Sequence, residues 1–402
     1  MLAIHVASFW QSRFLIAKGY PDFTTYYAIG TMVRRGLGHQ LYDTALQHKI
    51  QQEVAPGVAI RKNALIYLHP PFEAALFVPF TYLSYLGAFI AWDAVNLSAL
   101  LVVAFLFSKN APNFDKDSWS LWLLASLAFF PIFLTLLQGQ DSIVLLLLFT
   151  LAYICLKKKR ETLAGGLLAL GLFRPQLILP FVVLWMFRRG SRILLGFVPI
   201  AGLLALLSLP IAGAVGLLSY PKYVLHSDRT LAQGALRPSD MPNLRGLIYI
   251  FASHSQMLWL VLVLSVVILL SVAWRLRISR DEEDSFDWNF SLAMLTGTVL
   301  SYYCLGHDLS IVFLPIAIIA PRLRFGQKIR LSAHASIICA LLLLFLSPLQ
   351  LFLISHHQLG VMGWAVLLFI SGILVQTWPE ANPRNSASAL SALRQVRPPT
   401  RD

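Results

Sequence analysis

The sequence predicts an all-α polytopic membrane protein, a bundle of about twelve transmembrane helices, and three observations carry that prediction. First, 57% of the 402 residues are hydrophobic and only 13% are charged. That is roughly half the charged share of a soluble domain, and it excludes an ordinary soluble enzyme. Second, the apolar residues fall in runs close to the about 20 residues a helix needs to cross a bilayer, separated by short polar clusters. Third, the Lys and Arg residues behind the net charge of +13 sit in alternate connections between those runs. This pattern fits membrane topology better than nucleic-acid binding, and no nucleic acid is expected as a partner.

The first apolar run, 2–17, is short and carries Gln11 and Arg13; it either lies in the interface or is part of a longer first span, and the second reading is favoured. It has no small-residue cleavage site, so no cleavable signal peptide is expected. Runs 86–107, 119–137, 193–212, 257–274, 288–306, 335–354 and 361–377 are long enough to cross. Runs 143–156, 161–173, 177–187 and 309–320 are shorter and suit helices enclosed by others. The basic residues then test the count. One side collects Lys109 and Lys116, Lys157 to Arg160, Arg188 to Arg192, Arg275 to Arg280, Arg322 to Arg330 and the tail. Together these hold 20 of the 32 Lys and Arg residues, which assigns that side, with both termini, to the cytoplasm.

The opposite, extracytoplasmic side has two long connections. Residues 18–85 contain amphipathic helical stretches at about 24–36 and 41–52. An apolar stretch, 72–84, follows His69-Pro70-Pro71; it is too short to span and reads as a re-entrant or interfacial helix. Residues 213–256 form the second loop, where Pro221, Pro238 and Pro242 are expected to limit regular structure. Residues 1–377 thus form one integral-membrane domain, and the tail 378–402, rich in Ser, Ala, Pro and Arg, is expected to be disordered. Cys155, Cys304 and Cys339 lie within apolar runs without metal-ligand spacing and read as small core or lipid-facing residues.

Polar groups in or near a bilayer are costly, so each needs a reason. On the predicted outer side they are Asp22, Gln138-Gly139-Gln140-Asp141, Arg174, Asn243, Arg245 and His307-Asp308. Asp22, in Pro21-Asp22-Phe23-Thr24-Thr25-Tyr26-Tyr27, is either a general base at the membrane face or the N-cap of the helix that follows. Asp141 has the same capping alternative. Arg174 sits at the turn between two short apolar arms, so it either pairs with a protein carboxylate or holds a lipid-linked phosphate. His307 either serves a phosphate or is satisfied by Asp308. Asp93 and Asn96 share a helix face and read as interhelical hydrogen-bonding groups. Arg34-Arg35 reads as a solvated or headgroup-facing patch. The chain has no G-x-x-x-x-G-K-[ST], no G-x-G-x-x-G after a strand, no H-E-x-x-H and no C-x-x-C.

At these residues the chain resembles the polyprenyl-phosphate-mannose-dependent glycosyltransferases of glycosyltransferase family 87, which have the multispanning GT-C fold. The matching stretches are PDFTTYYAIG (21–30) with LYD (41–43), YLHPPFEAALFVPF (67–80), WDAVN (92–96) and QGQDS (138–142). They continue with LAGGLLALGLFRPQ (163–176), MPNLRGL (241–247) and GHDLSIVFLP (306–315), in order over most of the chain. Family members commonly carry Lys-Pro where this chain has Arg174-Pro175.

The resemblance implies a GT-C-like bundle and transfer of a hexose, mannose, from a polyprenyl phosphate on the extracytoplasmic face, with inversion. It makes Asp22 the matching catalytic base. Arg174, His307 and Arg245 become contacts of the donor phosphate, and Gln140, Asp141, Tyr26, Tyr27, Asn243 and Asp308 line the substrates. The partners implied are the lipid-linked donor, a glycolipid or glycan acceptor and membrane lipids; a bacterial inner membrane is expected from the lack of retention signals and glycosylation-prone ectodomains. No cofactor and no metal are expected, because Asp22 lacks a D-x-D partner. The alternative is a transporter or flippase of lipid-linked sugars, which also needs phosphate-binding cations but would place them near the bilayer midplane.

Overall fold

A computed structural model describes residues 1–58, 64–110, 118–231, 237–251, 254–279, 285–324 and 329–378. Among the described residues all regular structure is helical, the solution that satisfies backbone groups locally where water is scarce. In chain order the helices begin with α1 (Leu2–Ala17), α2 (Phe23–Arg34), α3 (Thr44–Val54), α4 (Pro71–Phe77) and α5 (Tyr85–Asn110). There follow α6 (Trp119–Leu127), α7 (Phe130–Gln138), α8 (Ser142–Lys157), α9 (Glu161–Leu170) and α10 (Pro175–Arg189). The last group is α11 (Leu194–Leu231), α12 (Leu244–Tyr249), α13 (His254–Ile278), α14 (Phe286–Leu300), α15 (Phe313–Arg324), α16 (Leu331–Phe345), α17 (Ser347–Ser355) and α18 (Gly363–Thr377).

Five described helical segments are long and apolar enough to cross a membrane, or seven if each of two bent pairs is one span. The bent pairs are α6 with α7, at 70°, and α16 with α17, at 61°. In each the second helix carries a proline in its first turn, Pro131 and Pro348, which fits a helix start but cannot continue the preceding helix. The predicted runs 119–137 and 335–354 are therefore broken helices. The tail lies outside the described residues from 379 onward.

Three further segments differ from the sequence reading. The run 288–306 stops being helical at Leu300, because Ser301 turns extended and its carbonyl accepts from Asn243 Nδ2 at 2.8 Å. The run 309–320 starts as a 3-10 helix over Gly306–Val312 before α15 begins. Within 213–256, helix continues past Pro221 as far as Leu231, beyond a break at Gly213; proline removes one hydrogen bond, and the flanking turns carry the helix across it. In the connection 18–85, α3 has the buried and exposed faces expected of it, but α2 is enclosed. Every residue of α2 from Phe23 to Met32 is buried, under α3, α4, α5 and the turn Pro79–Tyr82.

Two hydrophobic cores result. The larger threads α5 to α18, with Phe181 stacked on Trp185 and edge-on to Phe149 and Phe290. Where α9 meets α11 the backbones touch: a Cβ on Gly165 would lie 1.9 Å from the Ile193 carbonyl oxygen, the close approach that small residues permit between apolar helices. The smaller core, under 18–85, is aromatic: Phe23, Tyr26, Tyr67, Phe77, Phe89 and Trp92. Val144 packs against both, so the turn just before it, 138–142, lies at their junction.

Candidate active site

That turn is built by backbone geometry first. α7 ends at Gly139, whose φ of +62° is the left-handed conformation that closes helices. A side chain there would also put Cβ 2.8 Å from Phe23 Cβ. Trp92 Nε1 donates to the Gly139 carbonyl at 3.0 Å and Asn96 Nδ2 to the Gln140 carbonyl at 3.0 Å. One face of α5 thus anchors the turn, and Asn96 makes the interhelical bond expected of it. Gln140 and Asp141 are left buried and aimed at the start of α2 and α10.

Gln140 is the hub. Its Nε2 donates to Asp22 Oδ2 at 2.9 Å. Its Oε1 accepts from Tyr26 Oη at 2.7 Å and from Arg174 NH2 at 2.7 Å. Two donors on Oε1 leave the amide one orientation, with its NH2 toward Asp22. Asp22 precedes α2 but makes no side-chain cap bond, so the capping alternative fails; its backbone N–H donates to Gln138 Oε1 at 3.1 Å. Asp22 is only partly buried, unlike the other acids of the cluster.

Arg174 takes the protein-carboxylate alternative. At the N-cap of α10, it donates to Asp141 Oδ1 from Nε at 3.0 Å and from NH2 at 2.7 Å, and its NH1 lies 3.3 Å from Asp308 Oδ1. Asp141 precedes α8 without capping it. Asp308 Oδ2 accepts from the Leu305 N–H at 2.8 Å. His307 Nε2 is buried, makes no hydrogen bond among the described residues, and lies 3.7 Å from Asp308 Oδ1, too long for the satisfied pair that one reading required.

Two members of this cluster were not legible as site residues: His69 and Glu73. Their placement follows from α3, whose start is capped by Asp43 at 2.9 Å from the Ala45 N–H. Gln47 and Gln51 on its buried face pair with the extended chain at 65–67: the Tyr67 N–H donates to Gln47 Oε1, and Leu65 exchanges both its backbone bonds with Gln51. Tyr42 Oη then donates to the His69 carbonyl at 2.9 Å and Tyr220 Oη to that of Leu68 at 3.1 Å. His69 Nδ1 consequently sits 2.7 Å from Glu73 Oε2 and 3.7 Å from Asp141 Oδ2. His69, Glu73 and Asp141 lie in the connections between spans. Burial, with Arg174 adding to it, lowers His69 to about 3, so the imidazole is neutral. Burial also pushes Glu73 up to about 7 and Asp141 up to about 6, despite the nearby guanidinium.

The remaining predicted residues lie elsewhere. Tyr27 Oη donates to the Leu83 carbonyl at 2.8 Å. Asn243 caps α12 by accepting from the Gly246 N–H at 3.0 Å while its Nδ2 holds Ser301. Both side chains serve backbone. Arg245, two residues on, is buried with its guanidinium 4.6 Å over the Tyr302 ring and 5.3 Å from Tyr303, beside the segment that leads into His307. Arg35 pairs with Glu53 at 2.7 Å, and Arg34 reaches the Thr81 carbonyl.

Chemically, the cluster joins a partly exposed carboxylate to a buried cation through one amide, with an uncommitted imidazole nitrogen next to them. A model of glycosyltransferase family 87 matches residues 67–301, more than half of the 402-residue chain. No curated protein and no solved structure matches it. The matched stretch takes in His69, Glu73, Gln140, Asp141, Arg174 and Arg245, whereas Asp22, Tyr26, His307 and Asp308 flank it. On the extent of that match, the chain belongs to glycosyltransferase family 87 and is a membrane glycosyltransferase.

Proposed function

We propose that the protein transfers a hexose, mannose, from a polyprenyl-phosphate donor to a hydroxyl of a glycolipid or glycan acceptor, with inversion at the anomeric carbon. The reaction takes place on the extracytoplasmic face of a bacterial inner membrane. In this reading residues 1–377 form one domain that crosses the membrane twelve times, with both termini in the cytoplasm and the 18–85 and 213–256 connections outside.

The observation that carries the proposal is the chain Asp22–Gln140–Arg174. Asp22 is the accessible end of that chain and takes the acceptor proton as the acceptor oxygen attacks the anomeric carbon. The bond from that carbon to the phosphate oxygen breaks, and polyprenyl phosphate leaves with the electron pair. General-base help of this kind is worth roughly 10²–10⁴-fold. Gln140 keeps the carboxylate oriented, which is the positioning contribution. Negative charge grows on the departing phosphate, so a fixed cation stabilises the transition state more than the ground state. The N–H groups of Arg174 are largely committed to Asp141, Gln140 and Tyr26, so it acts by charge, and His307 Nε2 and Arg245 make the direct phosphate contacts. Asp141, Asp308 and Tyr26 hold Arg174, while Tyr27 and Asn243 act through the backbone they support.

The test is a donor panel: polyprenyl-phosphate-mannose, its glucose analogue and GDP-mannose, each offered to purified protein with a membrane lipid extract. Release of polyprenyl phosphate with an α-linked product from the β-linked mannose donor alone supports the proposal. Movement of intact donor between leaflets without cleavage favours the flippase. Use of GDP-mannose overturns the donor assignment.

A further inference from the structure

We propose that His69, Glu73 and Asp141 form a binding site for one divalent transition cation of the Mn2+ or Zn2+ class. One potential ligand atom from each residue lies within 4.8 Å of the other two. A cation bound about 2.1 Å from each ligand spaces them roughly 3.0–3.4 Å apart. Asp141 Oδ2, at 3.7 Å from His69 Nδ1, and Glu73 Oε2, at 2.7 Å, bracket that spacing, so shifts of a few tenths of an ångström close the site.

The atoms concerned are buried, and among the described residues they meet one another and Tyr67. Asp141 Oδ2 and Glu73 Oε1 have no hydrogen-bond partner among the described residues, and the two acids are 3% and 1% exposed. The other oxygen of Asp141 is held by Arg174. Glu73 Oε2 accepts from Tyr67 Oη at 3.2 Å, and the Tyr67 ring stacks on the imidazole. Such outer contacts orient the ligands of metal sites. His69 is the one partly exposed member, with its side chain 13% accessible, and provides the way in. An imidazole with two carboxylates selects Mn2+ or Zn2+ over Mg2+ or Ca2+, which favour oxygen alone.

Charge supplies the need. Asp22, Glu73, Asp141 and Asp308 gather around one guanidinium, and buried like charges must be neutralised by protons or a cation. A cation here also lies beside the Arg174–Asp141 pair, and offsets the acids that an incoming donor phosphate would otherwise meet. That last consequence rests on the proposed function; binding of the cation does not. The D-x-D pattern did not reveal the site because its ligands come from distant segments.

The experiment is Mn2+ titration of chelator-stripped, full-length protein in zwitterionic lipid nanodiscs at pH 8, with free Mn2+ read by its EPR signal. One bound Mn2+ per chain, displaced by Zn2+, is expected. Glu73→Gln and His69→Gln should each weaken binding by about 100-fold. Pulsed EPR of the bound ion should show nitrogen coupling from one imidazole, a readout that needs no variant. No uptake of Mn2+ or Zn2+ by the wild type, binding unchanged in folded variants, or bound Mn2+ without nitrogen coupling overturns the proposal. None of these results bears on whether the chain transfers a sugar.

Discussion

Replacing Arg174 by methionine removes the guanidinium that faces both Asp141 and Asp308, and keeps most of the aliphatic volume. Truncating one partner of a buried ion pair costs about 3–5 kcal/mol, mostly through the charge left behind. Three side chains lose donors here, Asp141, Gln140 and Tyr26, which puts this substitution at the upper end. With an unfolding entropy of roughly 2.1 cal/mol/K per residue, a chain of 402 residues loses about 1.2 °C of Tm per kcal/mol, hence about 4–6 °C. The assay is tryptophan fluorescence on heating in nanodiscs, with EDTA present and one fixed scan rate because unfolding of such chains is kinetically controlled. Adding Asp308→Asn to Arg174→Met removes one stranded carboxylate and should recover about 1–2 °C, whereas Asp308→Asn alone should destabilise. A single variant within about 1 °C of wild type, or a double variant no better than Arg174→Met, would refute the claim that this guanidinium compensates buried acids.

Three other predictions concern the hub, the turn and the topology. Gln140→Leu should lower transfer kcat by about 100-fold with donor KM changed less than about threefold, since it frees Asp22 without removing it; an unchanged kcat would make Gln140 dispensable for positioning. Gly139→Ala must place Cβ against Phe23 at a positive φ and should cost about 1–3 kcal/mol, read as a lower Tm; equal stability would mean that the turn can relax. In a background where the exposed Cys339 is serine, Lys49→Cys should react with an impermeant maleimide from the extracytoplasmic side and Lys158→Cys only from the cytoplasm. Labelling of both from the same side would overturn the topology.

Helix positions were legible because an apolar run near span length has few other solutions in a bilayer, and α5, α8, α13 and α18 lie where those runs lie. Breaks within runs were harder to see. Pro131 and Pro348 bend their helices by amounts set by tertiary packing, and Tyr302 to Leu305 leaves helix because Asn243 reaches across to Ser301. The burial of α2 from Phe23 to Met32 depends on α3 and α4 folding over it, which periodicity within α2 cannot report. In the site, Asp22, Gln140, Asp141, Arg174, His307 and Asp308 stood out as polar groups in apolar surroundings, and the structure brings them together. His69 and Glu73 escaped because 72–84 read as interfacial, where a glutamate is cheap. The signal available was a histidine just before Pro70-Pro71 and a glutamate in the first turn of the helix that those prolines start. Asn243 also had a local reading: three residues before Gly246, at the start of a helix, an asparagine has a capping role.

The most direct test of the account is single-turnover cleavage of polyprenyl-phosphate-mannose, with acceptor present, by wild type and Asp22→Asn, paired with equilibrium donor binding. The substitution keeps the side chain's size and its neighbours, and removes only the base. The account predicts a loss of transfer of about 10²–10⁴-fold, with donor affinity held within about threefold. Transfer by Asp22→Asn within about tenfold of wild type would contradict it and place the base on another residue.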